Sequence, residues 1–278
     1  MLIGVTAPRK GMGQTVTAIN IGAALAQYMC QKVLIADMNC YCEDVETYLS
    51  NTHVTKGLDD FFNLYDAGIL CPERFKTCVK KVHKYMDIMA GSKYLEIMPQ
   101  QIDVLIAHMK NMYGINIIDT VSSINPLTQT VLKQADVVIV ILNQIKNAVE
   151  LVKENPLLQS ERTIFIINRY TQEMDKKRVA YHIKQITAQL QALGFMQPIF
   201  TLGFDIALMN ECNDGALLNY VMGQYQTLYL KELDDLVNHL IKMKAQHEHR
   251  IVFPLEKEKT SLPRIPFPFK RHRGTRTV

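Results

Sequence analysis

Short, unbroken apolar runs separated by helical patterns recur along most of this 278-residue chain, and that alternation limits the folds open to it. The runs Leu2–Thr6, Val33–Asp37, Tyr85–Ala90, Ile115–Asp119, Val137–Leu142, Thr163–Ile167 and Pro198–Leu202 have the length and composition of strands. Continuous apolar strands of this kind are expected to be covered on both faces. Between them, Thr15–Cys30, Ile97–Met112, Pro126–Gln134 and Asp175–Leu193 carry helical spacing, and a last amphipathic helix is expected from Ala216 to about Gln246. The pattern predicts an α/β fold: a single doubly wound, mostly parallel sheet with helices on both faces. With 48% apolar residues, one large domain over residues 1–248 can bury its own core. In such sheets ligands bind beyond the carboxyl ends of the strands, so segments 7–15, 37–44, 119–125 and 168–170 are expected to converge.

The first of these segments reads Pro8-Arg9-Lys10-Gly11-Met12-Gly13-Gln14-Thr15-Val16-Thr17. A strand, a glycine-bearing loop and a helix in that order place backbone N–H groups where they can cradle phosphates. Against the P-loop pattern G-x-x-x-x-G-K-[ST], Pro8 takes the first glycine position, Gly13 the second, Gln14 the lysine position and Thr15 the hydroxyl position. A loop of this kind is expected to work without its usual lysine. Read without a ligand, the same residues are a tight strand-to-helix turn that needs Gly11 and Gly13 for backbone reasons.

Six segments in order resemble the deviant Walker A ATPases of the ParA/MinD family, which include the TadZ/CpaE pilus-localisation proteins. Arg9 to Asn20 aligns without a gap to that family's K-G-G-x-G-K-[ST]-[ST]-x-A-x-N loop. Val33 to Asn39 is similar to its strand ending in D-x-D, and Tyr113 to Thr120 to its Walker B segment. Ala135 to Val140, Ile166 to Tyr170, and Phe204 through Asp205 to Gly215 resemble three later elements, over residues 1–240 in all. The resemblance implies ATP or ADP bound with Mg2+. The nucleotide would be held by Arg9, Lys10, Gly11, Met12, Gly13, Gln14, Thr15, Val16, Asn168, Arg169 and Asp205. Asn168 would read adenine, while Thr15 and Asp119 would organise magnesium. Arg9 stands where the family's signature lysine crosses a nucleotide-sandwiched homodimer, and its planar fork suits phosphate.

The departures from that pattern weaken both binding and turnover. Losing the charged hydrogen bond at position 14 costs roughly 1.5–3 kcal/mol. Asp37 keeps the first acid of D-x-D, but Asn39 replaces the second, which positions the attacking water. Removing charge stabilisation and water positioning together can cost on the order of 10³–10⁵ in rate. Glu43 and Asp44 lie near enough in sequence to substitute. The implied role is a slow or dead ATPase that acts as a dimeric spatial organiser for a pilus or secretion apparatus, a division complex or a partition complex. Two rivals stand beside it: an active partition ATPase that binds DNA in its ATP-bound state, and a structural pseudo-ATPase that binds no nucleotide.

The net charge of +4 is unevenly placed. Eight lysines and arginines against two glutamates give residues 249–278 a charge of +6 and leave residues 1–248 at −2. Pro254, Pro263, Pro266 and Pro268 mark this stretch as an extended, disordered tail. Contact with DNA, with an anionic membrane or with a protein partner is open to it, as is a plain solubilising role. Cys30, Cys40, Cys42, Cys71, Cys78 and Cys212 are irregularly spaced, which fits reduced thiols in the cytoplasm better than a disulfide framework. Localisation is therefore expected to be cytoplasmic, with peripheral attachment at the inner membrane face open through the tail.

Overall fold

The computed structural model describes residues 1–38, 45–50, 56–91, 97–122, 125–145, 147–176, 181–223 and 225–252. The strands are β1 (Leu2–Thr6), β2 (Val33–Asp37), β3 (Lys80–His83), β4 (Met86–Met89), β5 (Ile115–Asp119), β6 (Val137–Leu142), β7 (Thr163–Tyr170) and β8 (Ile199–Gly203). The helices of the first half are α1 (Gln14–Met29), α2 (Val45–Ser50), α3 (Leu58–Asp66), α4 (Pro72–Phe75), α5 (Pro99–Met112) and α6 (Pro126–Gln134). Those of the second half are α7 (Ala148–Lys153), α8 (Gln172–Lys176), α9 (Ile183–Ala192), α10 (Ile206–Asn213), α11 (Leu217–Met222) and α12 (Leu228–Val252). The strands form one sheet in the order β3-β4-β2-β5-β1-β6-β7-β8, parallel except for β3. The expected doubly wound, mostly parallel architecture is what the chain adopts.

The strands alternate between two cores. Ile3, Val5, Ile35, Ile117, Ile139 and Ile166 join the layer beneath α1, α11 and α12. Leu34, Ile118, Val138, Val140 and Phe165 face the layer built from α3, α5, α6 and α9. Both layers are apolar, which is why the strands read as unbroken runs rather than as alternating ones. The helix α1 lies close on the sheet because Gly22 carries no side chain. A Cβ there would sit 2.7 Å from Ile35 Cδ1 and 3.2 Å from Ile117 Cδ1.

Several boundaries differ from expectation. β3 lacks the apolar run that marks the other strands, because Lys-Lys-Val-His is a half-covered, antiparallel edge strand. The helix expected over Asp175–Leu193 is two, α8 and α9, with residues 177–180 outside the described set. The helix expected from Ala216 is also two. The chain bends at Gly223, where a Cβ would meet the Asn219 carbonyl oxygen at 2.2 Å. The second of them, α12, runs to Val252, past the boundary drawn at residue 248. The rest of the 249–278 tail lies outside the described residues.

The far edge of the sheet is held by α12. Glu232 accepts from Thr201 Oγ1 at 2.9 Å and from the Gly203 N–H at 2.6 Å, so one carboxylate closes the end of β8. Burial raises the Glu232 pKa, and the two hydrogen bonds oppose that shift only in part. A raised folded-state pKa means that the charged form is disfavoured by folding. The resulting penalty is absent below the unfolded value near 4.3 and grows as pH rises through the folded one. Relative to Glu232→Gln, the wild type is therefore expected to lose ground in urea unfolding as pH is raised from about 4. A stability difference that stays flat over that rise would contradict the assignment.

Candidate functional site

The carboxyl ends of β1, β2 and β5 meet at the first turn of α1. Val5 pairs in register with Asp119, and Asp119 with Asp37. Between β1 and α1 the chain turns through Gly11 at φ 81° and Gly13 at φ 85°, both in the left-handed region that glycine enters without strain. Gly13 is required twice over, since a Cβ would also stand 2.2 Å from Asn168 Nδ2. No side chain caps the first turn of α1 among the described residues, and that turn contains no acid. Its amides are thus available to an anion, helped by the positive end of the helix dipole. Arg9, Lys10 and Gly11 are exposed at the mouth of this loop.

Gln14 turns the other way. It is buried, and its Nε2 lies 3.1 Å from the Val5 carbonyl and 2.6 Å from Asp119 Oδ1, with the Thr120 carbonyl as a third acceptor. Ser122 Oγ donates to Gln14 Oε1 at 3.4 Å. Thr15 Oγ1 donates to the second Asp119 oxygen at 2.6 Å. Residue 14 therefore ties α1 to the ends of β1 and β5. Asp119 is buried and receives both donors.

These contacts bear on what the site can hold. The uncapped amides and glycine turn fit a phosphate. The magnesium donor set fits less well. Thr15 keeps lone pairs on its hydroxyl, but the Gln14 amide already takes up one acceptor position of the Asp119 carboxylate that an ion's water shell would share.

The remaining expected residues are placed as follows. Met12 is buried in the core beneath α1, and its carbonyl accepts from Asn168 Nδ2 at 2.8 Å. Asn168 thus braces the loop across 156 residues of sequence. Val16 is half-buried against the same core. Asp37 is fully buried, and its Oδ2 accepts from the Val45 N–H that opens α2 at 3.3 Å. Asn39, Glu43 and Asp44 lie outside the described residues. Asp205 is the N-cap of α10, accepting from the N–H groups of Ala207 at 2.8 Å and Leu208 at 3.2 Å. The cysteines described, Cys30, Cys71, Cys78 and Cys212, are free, and no metal-binding cluster occurs among the described residues.

Arg169 follows Asn168 at an irregularity in the β7–β8 ladder, exposed and at φ 53°. Holding a side chain in that region costs about 1–2 kcal/mol, part of which a glycine would return to unfolded-chain entropy. Arg169→Gly is expected to raise the unfolding free energy by about 0.5–1 kcal/mol in urea denaturation. A loss of stability would show that the guanidinium makes a compensating contact.

Sequence reasoning gave no individual role to Thr120 or Ser122, which complete the hydrogen bonds of Gln14, although both lie in the segment 119–125 expected at the site. It also missed a polar cluster at the end of β7. There Asp175 accepts from Gln144 Nε2 at 3.0 Å, Tyr170 Oη at 2.8 Å and the Ile183 N–H at 3.2 Å. Burial, followed by the Asp175 carboxylate, pushes the Tyr170 phenol up to about 12.

No protein-family model matches the chain, and no curated protein matches it by sequence. Solved structures do match in shape. A ParA family ATPase from Chlorobium tepidum is 22% identical with a TM-score of 0.72, covering 86% of this chain and 98% of that one. A MinC:MinD cell division complex from Aquifex aeolicus gives 19% identity and a TM-score of 0.70 over 95% of this chain and 98% of that one. The septum site-determining protein MinD of Pyrococcus horikoshii, complexed with Mg-ADP, gives 18% identity and a TM-score of 0.68, covering 88% and 98%. Among the described residues no helix is long and apolar enough to cross a membrane. The strand order, the glycine turn and these likenesses agree: the chain has the fold of the ParA/MinD ATPases.

Proposed function

We propose that this protein is a ParA/MinD-like nucleotide-binding spatial organiser in which ATP hydrolysis is weakened or absent. The observation that carries the reading is the split behaviour of the loop. Its glycine turn and uncapped helix amides remain those of a phosphate site, while Gln14 faces inward and supplies no cation to a ligand. A phosphate held by neutral amides, with Arg9 and Lys10 at the mouth, binds more weakly than one held also by a buried ammonium. The difference is roughly 1.5–3 kcal/mol, or about one to two orders of magnitude in affinity. A homodimer closing over the loop through Arg9 would place a partner complex, and the tail from residue 249 would add contact with DNA or an anionic membrane. A pilus-localisation role of the TadZ/CpaE kind is one form of this activity.

Calorimetric titration of nucleotide into the wild type and into Gln14→Lys tests the reading, with phosphate release measured alongside. Weak wild-type binding that strengthens about tenfold or more in the lysine variant, with little turnover in the wild type, is expected. Tight wild-type binding with brisk turnover would indicate a working partition ATPase instead. No heat from either protein would indicate a structural pseudo-ATPase. Gln14's inward bonds favour the pseudo-ATPase over the working enzyme.

A further inference from the structure

We infer that the loop takes a nucleoside diphosphate without a magnesium ion and gains nothing from a γ-phosphate. This rests on the reading of the loop as a nucleotide site and specifies what that site distinguishes.

In a P-loop the terminal phosphate is recognised by two cations: the lysine that reaches the β- and γ-phosphates, and the metal that bridges them. Among the described residues neither is provided for as a P-loop provides it. Gln14 Nε2, with two hydrogens to give, lies among three protein acceptors behind the loop, Val5 O, Asp119 Oδ1 and Thr120 O. One oxygen of Asp119 receives Gln14 and the other receives Thr15, each at 2.6 Å. A protein donor thus already takes one acceptor position on each oxygen of the carboxylate that a hydrated ion would use, and the Gln14 amide crowds one of them.

Electrostatics points the same way. Asp37 and Asp119 are both buried and lie side by side in register beneath the loop. Among the described residues the one buried lysine or arginine is Lys244, which stands towards the far end of α12. A γ-phosphate therefore adds negative charge above two buried carboxylates, and among the described residues no buried lysine or arginine belongs to the loop. Arg9 and Lys10, exposed at the mouth, attract a diphosphate and a triphosphate alike and are screened by salt. The main-chain amides of the turn serve the inner phosphates of either ligand. The nucleotide's phosphate count, which a lysine and a metal would read, goes unread.

The test is calorimetric titration of the full chain with ADP and with ATP, each in millimolar magnesium and in EDTA, supported by melting temperatures under the same four conditions. ADP is expected to bind within roughly threefold of the same affinity with or without the ion, and ATP no tighter than ADP. Gln14→Lys is expected to introduce a preference of about tenfold or more for ATP with magnesium. A wild type that prefers magnesium-ATP by about tenfold, or loses ADP by about tenfold in EDTA, overturns this inference and leaves nucleotide binding standing. A wild type that binds neither nucleotide under any condition overturns the nucleotide site itself, and the inference with it.

Discussion

Gln14→Glu is expected to lower the unfolding free energy by about 3–5 kcal/mol at neutral pH, the range for an uncompensated buried charge. The substitution keeps the shape of the side chain. It places a carboxylate against Asp119, where Gln14 Nε2 now lies 2.6 Å from Oδ1, and also against two carbonyl oxygens. A donor becomes an acceptor among acceptors. The new carboxyl would be protonated in the folded protein at a pH where it is ionised in the unfolded chain. Its penalty is thus absent below about pH 4.3 and grows as pH rises. Urea unfolding at pH 7 and pH 5, each compared with the wild type, should show the deficit shrinking on acidification. Gln14→Leu removes the donor without adding charge and is expected to cost about 2 kcal/mol with weak pH dependence. If Gln14→Glu matched the wild type at pH 7, the inward orientation of residue 14 would be wrong.

Gly22→Leu is expected to destabilise the domain by about 2–3 kcal/mol and to lower its melting temperature by roughly 5 °C or more. The site is a helix interior, so intrinsic propensity favours the substitution by about 0.8 kcal/mol. Packing decides against it. The terminal methyls of Ile35 and Ile117 already meet the space of a Cβ at 2.7 and 3.2 Å, and both side chains are fully buried on central strands, so the three further carbons of leucine have no open space to enter. Thermal unfolding followed by circular dichroism reads the effect. Because α1 carries the loop at its N-terminus, lifting the helix off the sheet would also move the amides proposed to hold phosphate. Gly22→Leu should therefore weaken nucleotide binding although residue 22 lies two turns beyond the loop.

Much of the sheet was legible because it is buried on both sides. β1, β2, β5 and β6 have the expected limits, since a strand covered twice reads as a nearly continuous apolar run, closed in β2 and β5 by Asp37 and Asp119. β3 was not legible, because an edge strand with lysines obeys neither pattern. The helices α2, α3, α4, α7 and α10 span nine residues or fewer and offer little periodicity to read. At the site, residue types were legible but directions were not. Sequence places Gln14 after Gly13 but cannot say whether its amide faces a ligand or the strand ends. The contact between Asn168 and Met12 joins residues that only the fold brings together. Asp205, assigned to nucleotide through resemblance, carries a local signal that favours an ordinary role: an aspartate directly before a helix is a preferred N-cap.

The Glu232 clasp on β8 has a consequence for assembly. An open strand end is a template on which another chain can add its own strand. At one border of this sheet a carboxylate already occupies the last N–H, and at the other β3 presents Lys80 and Lys81. Both borders are thereby made poor partners for lateral growth. Even at high concentration, copies of this chain are expected to remain discrete molecules rather than to join strand to strand along the sheet's flanks.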